Sequence, residues 1–204
     1  AEMIRNGIGR FWDMYWQPGA TARAVEDAGL RATIGGPLFD ADGRTEEMKA
    51  QALADLDALA GHGPAISVAL APHSIYTVSE ELLRWAGEQA AERGVALQIH
   101  LAETEAEVAE CVEAHGVRPA AYLDRVGLLG ERTVLAHGVW LDEAELFLVA
   151  ERGATLVANP VANMKLAVGA VYPYRALASA GAVCAIGTDG AASNNCLDLF
   201  RDMK

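Results

Sequence analysis

Short apolar runs alternate with helix-like segments along almost the whole chain, and this alternation limits the folds that it can adopt. Each apolar run is typical of a buried strand. Strands separated by helices of about ten to fifteen residues are joined by parallel crossovers, which predicts an α/β fold with a parallel sheet. Seven strands are predicted: Arg10–Tyr15, Arg31–Leu38, Ile66–Ala71, Ala96–Ala102, Thr133–Val139, Thr155–Asn159 and Val183–Thr188.

Five helices are predicted between these strands from their starting and stopping residues. Ser79 and Thr104 are favourable N-cap residues, and Glu107 stands at the capping-box position after Thr104. A glycine follows most of these segments and marks the end of the helix. The predicted helices are Ala20–Ala28, Thr45–Ala60, Ser79–Arg93, Thr104–Ala114 and Asp142–Arg152.

Two architectures agree with this pattern, an open doubly wound sheet and a closed (β/α)8 barrel. The chain contains neither the G-x-G-x-x-G fingerprint of dinucleotide-binding folds nor a Walker A loop. Polar residues instead follow several strands, at His100, His137 and Asp189. This distribution favours a TIM-type (β/α)8 barrel, in which the chemistry lies at the C-terminal ends of the strands.

One strand of such a barrel is missing, since eight are needed and seven are predicted. Ala1–Asn6 is typical of the end of a helix with Gly7 as its C-cap, and Asn195–Lys204 is typical of the start of one. We therefore expect residues 1–204 to form one barrel domain that is incomplete at its N-terminus. Its first strand should lack a partner on one side.

Charge and cysteine content argue against several classes of partner. The chain carries 16 Lys and Arg against 28 Asp and Glu, a net charge of −12, which disfavours nucleic acid and anionic membrane surfaces. No apolar stretch approaches the roughly 18 residues of a membrane span. Cys111, Cys184 and Cys196 show no C-x-x-C spacing, which indicates reduced thiols and a cytoplasmic location. We expect a small-molecule substrate and leave a homo-oligomer open.

The polar residues at the strand ends are suited to a hydrolytic metal site. His100 is followed three residues later by Glu103, and His137 and Asp189 end later strands. Two imidazoles and two carboxylates at one barrel mouth supply metal ligands and proton carriers. Each residue alone has a simpler interpretation, such as a hydrogen-bonded core histidine or a helix N-cap. Their shared location favours the metal site.

Five motifs occur along the chain in this order: P-H-S-x-Y-T (Pro72 to Thr77), I-H-L-A-E-T (Ile99 to Thr104), A-H-G (Ala136 to Gly138), N-P-V-A-N-M-K-L (Asn159 to Leu166) and G-T-D-G-A-A-S-N-N (Gly187 to Asn195). Taken together, they resemble the amidohydrolase superfamily, and within it the branch of 5-methylthioadenosine/S-adenosylhomocysteine deaminases and chlorohydrolases. The resemblance covers essentially the whole chain.

The resemblance implies a barrel that holds one divalent metal, with Zn²⁺ expected and Fe²⁺ as the alternative. The implied metal ligands are His100 and Asp189. The implied catalytic residues are Glu103, His137 and Asp189: Glu103 relays a proton to the ring nitrogen, His137 orients or polarises the attacking hydroxide, and Asp189 accepts a proton from the attacking water. The implied substrate-binding residues are Arg44, His73, Glu103 and Ser193.

The activity implied is hydrolytic deamination of an aminated purine nucleoside or a related N-heterocycle. Metal-bound hydroxide attacks the ring carbon and ammonia leaves. Glu103 favours this reaction over the alternative, dehalogenation of a triazine, because chloride needs no proton to leave. A catalytically inert fragment is the third hypothesis.

Two features depart from the family pattern. The family's other two metal ligands form an H-x-H motif that is absent here, so we expect residues 1–204 alone to bind metal poorly and to be inactive. Gly36 stands where some deaminases carry a further arginine. That replacement disfavours a substrate with a carboxylate tail, such as S-adenosylhomocysteine.

Overall fold

Parallel strands form a curled sheet in the computed structural model, which describes all 204 residues. The order along the sheet is β1-β2-β4-β5-β6-β7-β8, and β3 lies off this path and pairs with β4. All pairings are parallel. The strands are β1 (Arg10–Met14), β2 (Arg31–Gly35), β3 (Pro37–Leu38), β4 (Ile66–Pro72), β5 (Ala96–Leu101), β6 (Thr133–His137), β7 (Thr155–Ala158) and β8 (Val183–Ile186).

Helices connect the strands as parallel crossovers, and the five predicted helices are confirmed. Six shorter ones accompany them, and all have between four and seven residues. The helices are α1 (Glu2–Arg5), α2 (Pro18–Ala28), α3 (Thr45–Ala60), α4 (Glu80–Arg93), α5 (Glu105–His115), α6 (Pro119–Arg125), α7 (Glu143–Arg152), α8 (Pro160–Lys165), α9 (Tyr174–Ser179), α10 (Ala191–Asn194) and α11 (Leu199–Asp202). No helix combines the length and the apolar character needed to cross a membrane.

The strand predicted over Arg31–Leu38 is interrupted, which corrects the prediction. The register is the same on both sides of the break, because Ile34 pairs with Val68 and Pro37 pairs with Ala71. The interruption is therefore local and involves no slip. Pro37 has no N–H to donate to a ladder, which is enough to divide the run into β2 and β3.

The sheet packs its helices against one face and leaves the other face for the site. Leu97, Ile99 and Leu101 of β5 are buried in the main core beside Leu82 of α4. The alternate residues of β5 are only half-buried. Since side chains alternate along a strand, His100 lies on the face away from the helices.

The two outer strands each have one partner, β2 for β1 and β7 for β8. The prediction that the first strand lacks a partner on one side is thus confirmed. The sheet nevertheless curls far enough for its outer segments to meet. The Asn6 amide donates to the Leu197 carbonyl at 2.8 Å, and the Leu197 N–H donates to Glu2 at 2.9 Å. The fold is that of an incomplete TIM-type barrel, as predicted.

Candidate active site

His100 is held in one ring orientation by the carbonyl group of His73. Its backbone N–H donates to that carbonyl at 3.0 Å, and its ring Nδ1 lies 2.7 Å from the same oxygen. A carbonyl only accepts, so Nδ1 carries the proton and Nε2 keeps its lone pair. Burial lowers the pKa of this ring. His100 therefore presents a neutral imidazole with an unprotonated Nε2, the form that binds a metal.

His73 extends this site into a row of rings. Its ring centroid lies 4.7 Å from that of His100 and 4.5 Å from that of Phe39. Its Nδ1 is 2.9 Å from the Thr77 hydroxyl. Burial, with the neighbouring rings of His100 and His137, lowers the pKa of His73 to about 4. The ring is therefore neutral at physiological pH and can donate or accept a hydrogen bond without adding charge.

His137 reaches the same row from the end of β6 through an unusual backbone conformation. Its φ is 73°, and Gly138 follows with φ 59°. A Cβ at Gly138 would lie 2.6 Å from the buried Leu156 side chain, and the positive φ there also favours glycine. The His137 ring is buried, stacks on His100 at 5.4 Å between centroids, and has Nδ1 2.8 Å from Asn163 Oδ1.

Glu103 is presented to the His137 ring by a short loop that follows β5. One carboxylate oxygen lies 3.8 Å from His137 Nε2, which is beyond hydrogen-bond distance. The loop depends on Glu107, whose carboxylate accepts the N–H groups of Ala102 at 2.7 Å and of Glu103 at 2.8 Å. Ala102 has φ 47°. Glu107 thus bonds the loop before the helix, beyond the single N-cap N–H that a standard capping box satisfies.

The Glu107 carboxyl is an ionisable group with almost no exposure, at 3%. Burial raises its pKa from 4.5 to about 7, against the opposing effect of the backbone N–H groups of Glu103, Ala102 and Thr104. The folded protein therefore holds a proton between pH 4.5 and 7 that the unfolded chain releases. Folding stability must fall as the pH rises through that window.

We expect Glu107→Gln to reduce this pH dependence. Raising the pH from 5 to 7.5 should lower the melting temperature of the wild type more than that of the variant, since only the wild type loses about 2 kcal/mol at this group. Each protein is compared with itself at the two pH values, so a uniform destabilisation by the substitution cancels. An equal change in melting temperature for the two proteins would show that Glu107 is ionised at both pH values.

Asp189 follows β8 with φ 58°, a left-handed conformation that is uncommon for an aspartate. Its Oδ1 accepts the Gly190 N–H at 2.6 Å. Although burial dominates and lowers the pKa of His100, the negative charges of Glu103 and Asp189 act in the opposite direction. The Asp189 carboxylate is therefore within electrostatic reach of the His100 ring.

A buried polar contact anchors the Asp189 loop from behind. The Asn194 amide donates to the Thr188 carbonyl at 2.7 Å and to Asp202 at 3.0 Å. Asp202 also accepts the Val161 N–H of α8 at 3.2 Å. Asn194 and Asp202 are both buried, so the loop after β8 is attached to the start of α8.

The structure brings some of the predicted residues together and leaves others apart. Arg44, half-exposed at the start of α3, pairs with Asp42 at 2.6 Å and with Glu47 at 3.6 Å. Ser193 lies in α10, four residues after Asp189. Neither side chain forms a hydrogen bond or an ion pair with the histidine row. The residues that do lie side by side are His73, His100, Glu103 and His137.

The donor set is of the kind that zinc accepts, but it is small. The unprotonated Nε2 of His100 and the Asp189 carboxylate are nitrogen and oxygen ligands suited to a divalent metal. No group of three or more His, Cys, Asp or Glu side chains lies close enough together to hold an ion. These two residues fit a metal as part of its ligand set.

Sequence reasoning missed the supporting roles of two residues that hold this site in place, Asn163 and Glu107. Asn163 lies inside the motif N-P-V-A-N-M-K-L, and Glu107 was expected only as a capping residue of the helix. The signal that could have drawn attention to Asn163 is a polar residue in a motif to which no role was assigned, whereas the sequence carries no signal that Glu107 bonds the preceding loop.

Comparison with known proteins gives one consistent group. The family described as "Amidohydrolase family" matches residues 1–204. A 5'-deoxyadenosine deaminase from Methanoregula boonei is 47% identical over 211 residues, covering 100% of this chain and 47% of that protein. A 5-methylthioadenosine/S-adenosylhomocysteine deaminase from Pyrococcus furiosus is 41% identical over 206 residues, covering 100% of this chain and 49% of the other.

A solved structure agrees with these relatives. The adenosine deaminase from Xanthomonas campestris with bound zinc superposes with a TM-score of 0.91 at 38% identity, over 98% of this chain and 46% of that one. The chain spans about half the length of the curated relatives it matches. Because the family match extends from the first residue to the last, the chain belongs to the amidohydrolase family.

Proposed function

We propose that this protein is a hydrolytic deaminase of an aminated purine nucleoside or a related N-heterocycle. The observation that carries the proposal is the position of Glu103, whose carboxylate lies 3.8 Å from His137 Nε2 beside the His100 ring. A carboxyl group beside the imidazole rings of His100 and His137 can move protons to and from a heterocycle. The deaminase names of similar proteins support the same reaction.

In this proposal His100 and Asp189 contribute two ligands to a divalent metal, with Zn²⁺ expected. The metal supplies Lewis-acid activation of water when bound. Asp189 accepts a proton from the attacking water, and Glu103 delivers a proton to the ring nitrogen and then assists the departure of ammonia. His137, whose ring stacks on that of His100, orients the attacking oxygen.

We further propose nucleosides with a small, uncharged 5′ substituent as the substrates. His73 is the candidate nucleoside contact, and it stands against Phe39, on which Trp16 stacks at 5.6 Å between centroids. This aromatic wall can cover an apolar substituent. Gly36 offers no cation for a carboxylate tail, and Arg44 is paired with Asp42 and Glu47.

Ammonia release from a matched set of compounds tests the proposal. We expect the zinc-loaded, full-length protein to release ammonia from 5'-deoxyadenosine and 5'-methylthioadenosine faster than from S-adenosylhomocysteine. A chlorotriazine, followed by chloride release, tests the dehalogenase alternative. Chloride release without ammonia release would show that the protein is a dehalogenase and not a deaminase. If no compound released either product, the protein would be catalytically inert. A preference for S-adenosylhomocysteine would overturn the assignment of substrate class alone.

A further inference from the structure

The buried partner of His137 is Asn163, a side chain inside the motif N-P-V-A-N-M-K-L. Asn163 Oδ1 lies 2.8 Å from His137 Nδ1, and both residues are buried, with exposures of 6% and 1%. A buried polar pair of this kind is costly to break, because water cannot replace the lost hydrogen bond. Asn163 therefore restrains the orientation of the His137 ring.

An amide oxygen at that position selects one form of the imidazole. Oδ1 accepts but cannot donate, so Nδ1 carries the proton and the lone pair is on Nε2. That nitrogen faces the Glu103 carboxylate at 3.8 Å. The hydrogen bond thus decides which ring nitrogen points at the reaction site and in which chemical form.

The partner's charge matters as well as its position. A carboxylate at Asn163 would also accept from Nδ1–H, but it would make the imidazole more basic. Glu103 and Asp189 already place two negative charges near this row. A neutral amide orients the ring without adding a third.

The local structure holds Asn163 in place independently of His137. Its N–H donates to the Asn159 carbonyl at 2.8 Å, and its carbonyl accepts the Val168 N–H at 3.2 Å. The N–H of Val161 in the same helix is bonded by Asp202. Asn163 is thus presented by a short, tied segment and does not have to be ordered by the ring that it contacts.

We propose that Asn163 is a positioning residue that fixes the Nδ1-protonated tautomer and the orientation of His137. Its effect on turnover rests on the proposed function, whereas the tautomer does not. Outer partners of this kind typically contribute roughly 10- to 100-fold. We expect Asn163→Leu to lower kcat by about that factor with little change in KM, since the ring would remain but lose its alignment.

Three variants separate positioning from simple stability. Asn163→Asp keeps an acceptor for Nδ1–H and should recover part of the kcat lost in Asn163→Leu, with the remainder lost because its carboxylate makes the ring more basic. Thr133→Val removes another buried hydrogen bond, from the hydroxyl to the Leu128 carbonyl, on the same strand as His137. This matched control should leave kcat and the tautomer unchanged even if it lowers the melting temperature.

The direct test is ¹⁵N NMR of histidine-labelled, zinc-loaded, full-length protein, with His137 assigned by the signal lost in His137→Gln. We expect Nδ1-protonated His137 in the wild type and in Asn163→Asp, and a mixture or the other tautomer in Asn163→Leu. An Nε2-protonated ring in the wild type would overturn the proposal, even if Asn163→Leu failed to fold. An Nδ1-protonated wild type without ammonia release from any nucleoside would refute the proposed function and leave the positioning role standing.

Discussion

Asp189→Asn is expected to abolish turnover and to weaken metal retention. In the proposed mechanism the substitution removes an anionic ligand and the group that accepts a proton from the attacking water, while the side chain keeps its size. The Gly190 N–H can still bond the amide oxygen, so the left-handed turn should survive. Ammonia release and zinc content of the purified, full-length variant measure the two effects.

Asp198→Asn is the matched control for the loss of one negative charge. Asp198 accepts the N–H groups of Phe200 and Arg201 at the start of α11, and asparagine caps helices equally well. This variant should keep both turnover and zinc. Near-normal turnover in Asp189→Asn would remove Asp189 from the mechanism, and a change of the same size in both variants would point to a general charge effect.

Glu103→Gln is expected to keep the metal and to lose several orders of magnitude in kcat. One general acid–base step typically contributes roughly 10²- to 10⁴-fold, and Glu103 serves more than one proton transfer in the proposed mechanism. Its backbone N–H, not its side chain, holds the loop to Glu107. The loop should therefore keep its shape while the proton carrier is lost.

Glu105→Gln provides the control, since Glu105 is exposed in the first turn of α5, two residues from Glu103. It should turn over at the wild-type rate. Zinc content and kcat of Glu103→Gln are compared with it under the same conditions. If zinc fell as far as kcat, Glu103 would be a metal ligand, and the assignment as proton carrier would be wrong.

Much of the fold was predictable because the strands and helices of a parallel α/β protein can be recognised from short stretches of its sequence. The elements and their parallel pairing follow from apolar runs of strand length that are separated by helices. These helices have N-caps at Ser79, Thr104 and Asp142, and glycines follow their ends. The same regularity predicted where His100 and His137 would meet, because the carboxyl ends of parallel strands converge. The break at Gly36–Pro37 was missed because it depends on one absent N–H within an otherwise apolar run.

The site was predictable in its residue types and less so in its supporting contacts. Arg44 and Ser193 were expected at the substrate, but in the structure Arg44 pairs with Asp42 and Glu47, and Ser193 lies in α10, four residues after Asp189. A long arginine can reach several partners, and its sequence position does not select among them. Their roles stay predictions, as do those of the catalytic residues and the metal ligands.

By itself the sequence determined the alternation of elements, the parallel topology and the strand ends that carry polar residues, because strand and helix periods are local properties. Only the tertiary structure decided which ring nitrogen of His100 and of His137 is unprotonated. The His73 carbonyl sets it for His100, and Asn163 sets it for His137, each from a residue 26 or 27 positions away. Hydrogen-bond direction depends on the arrangement of atoms in space, which no local pattern encodes.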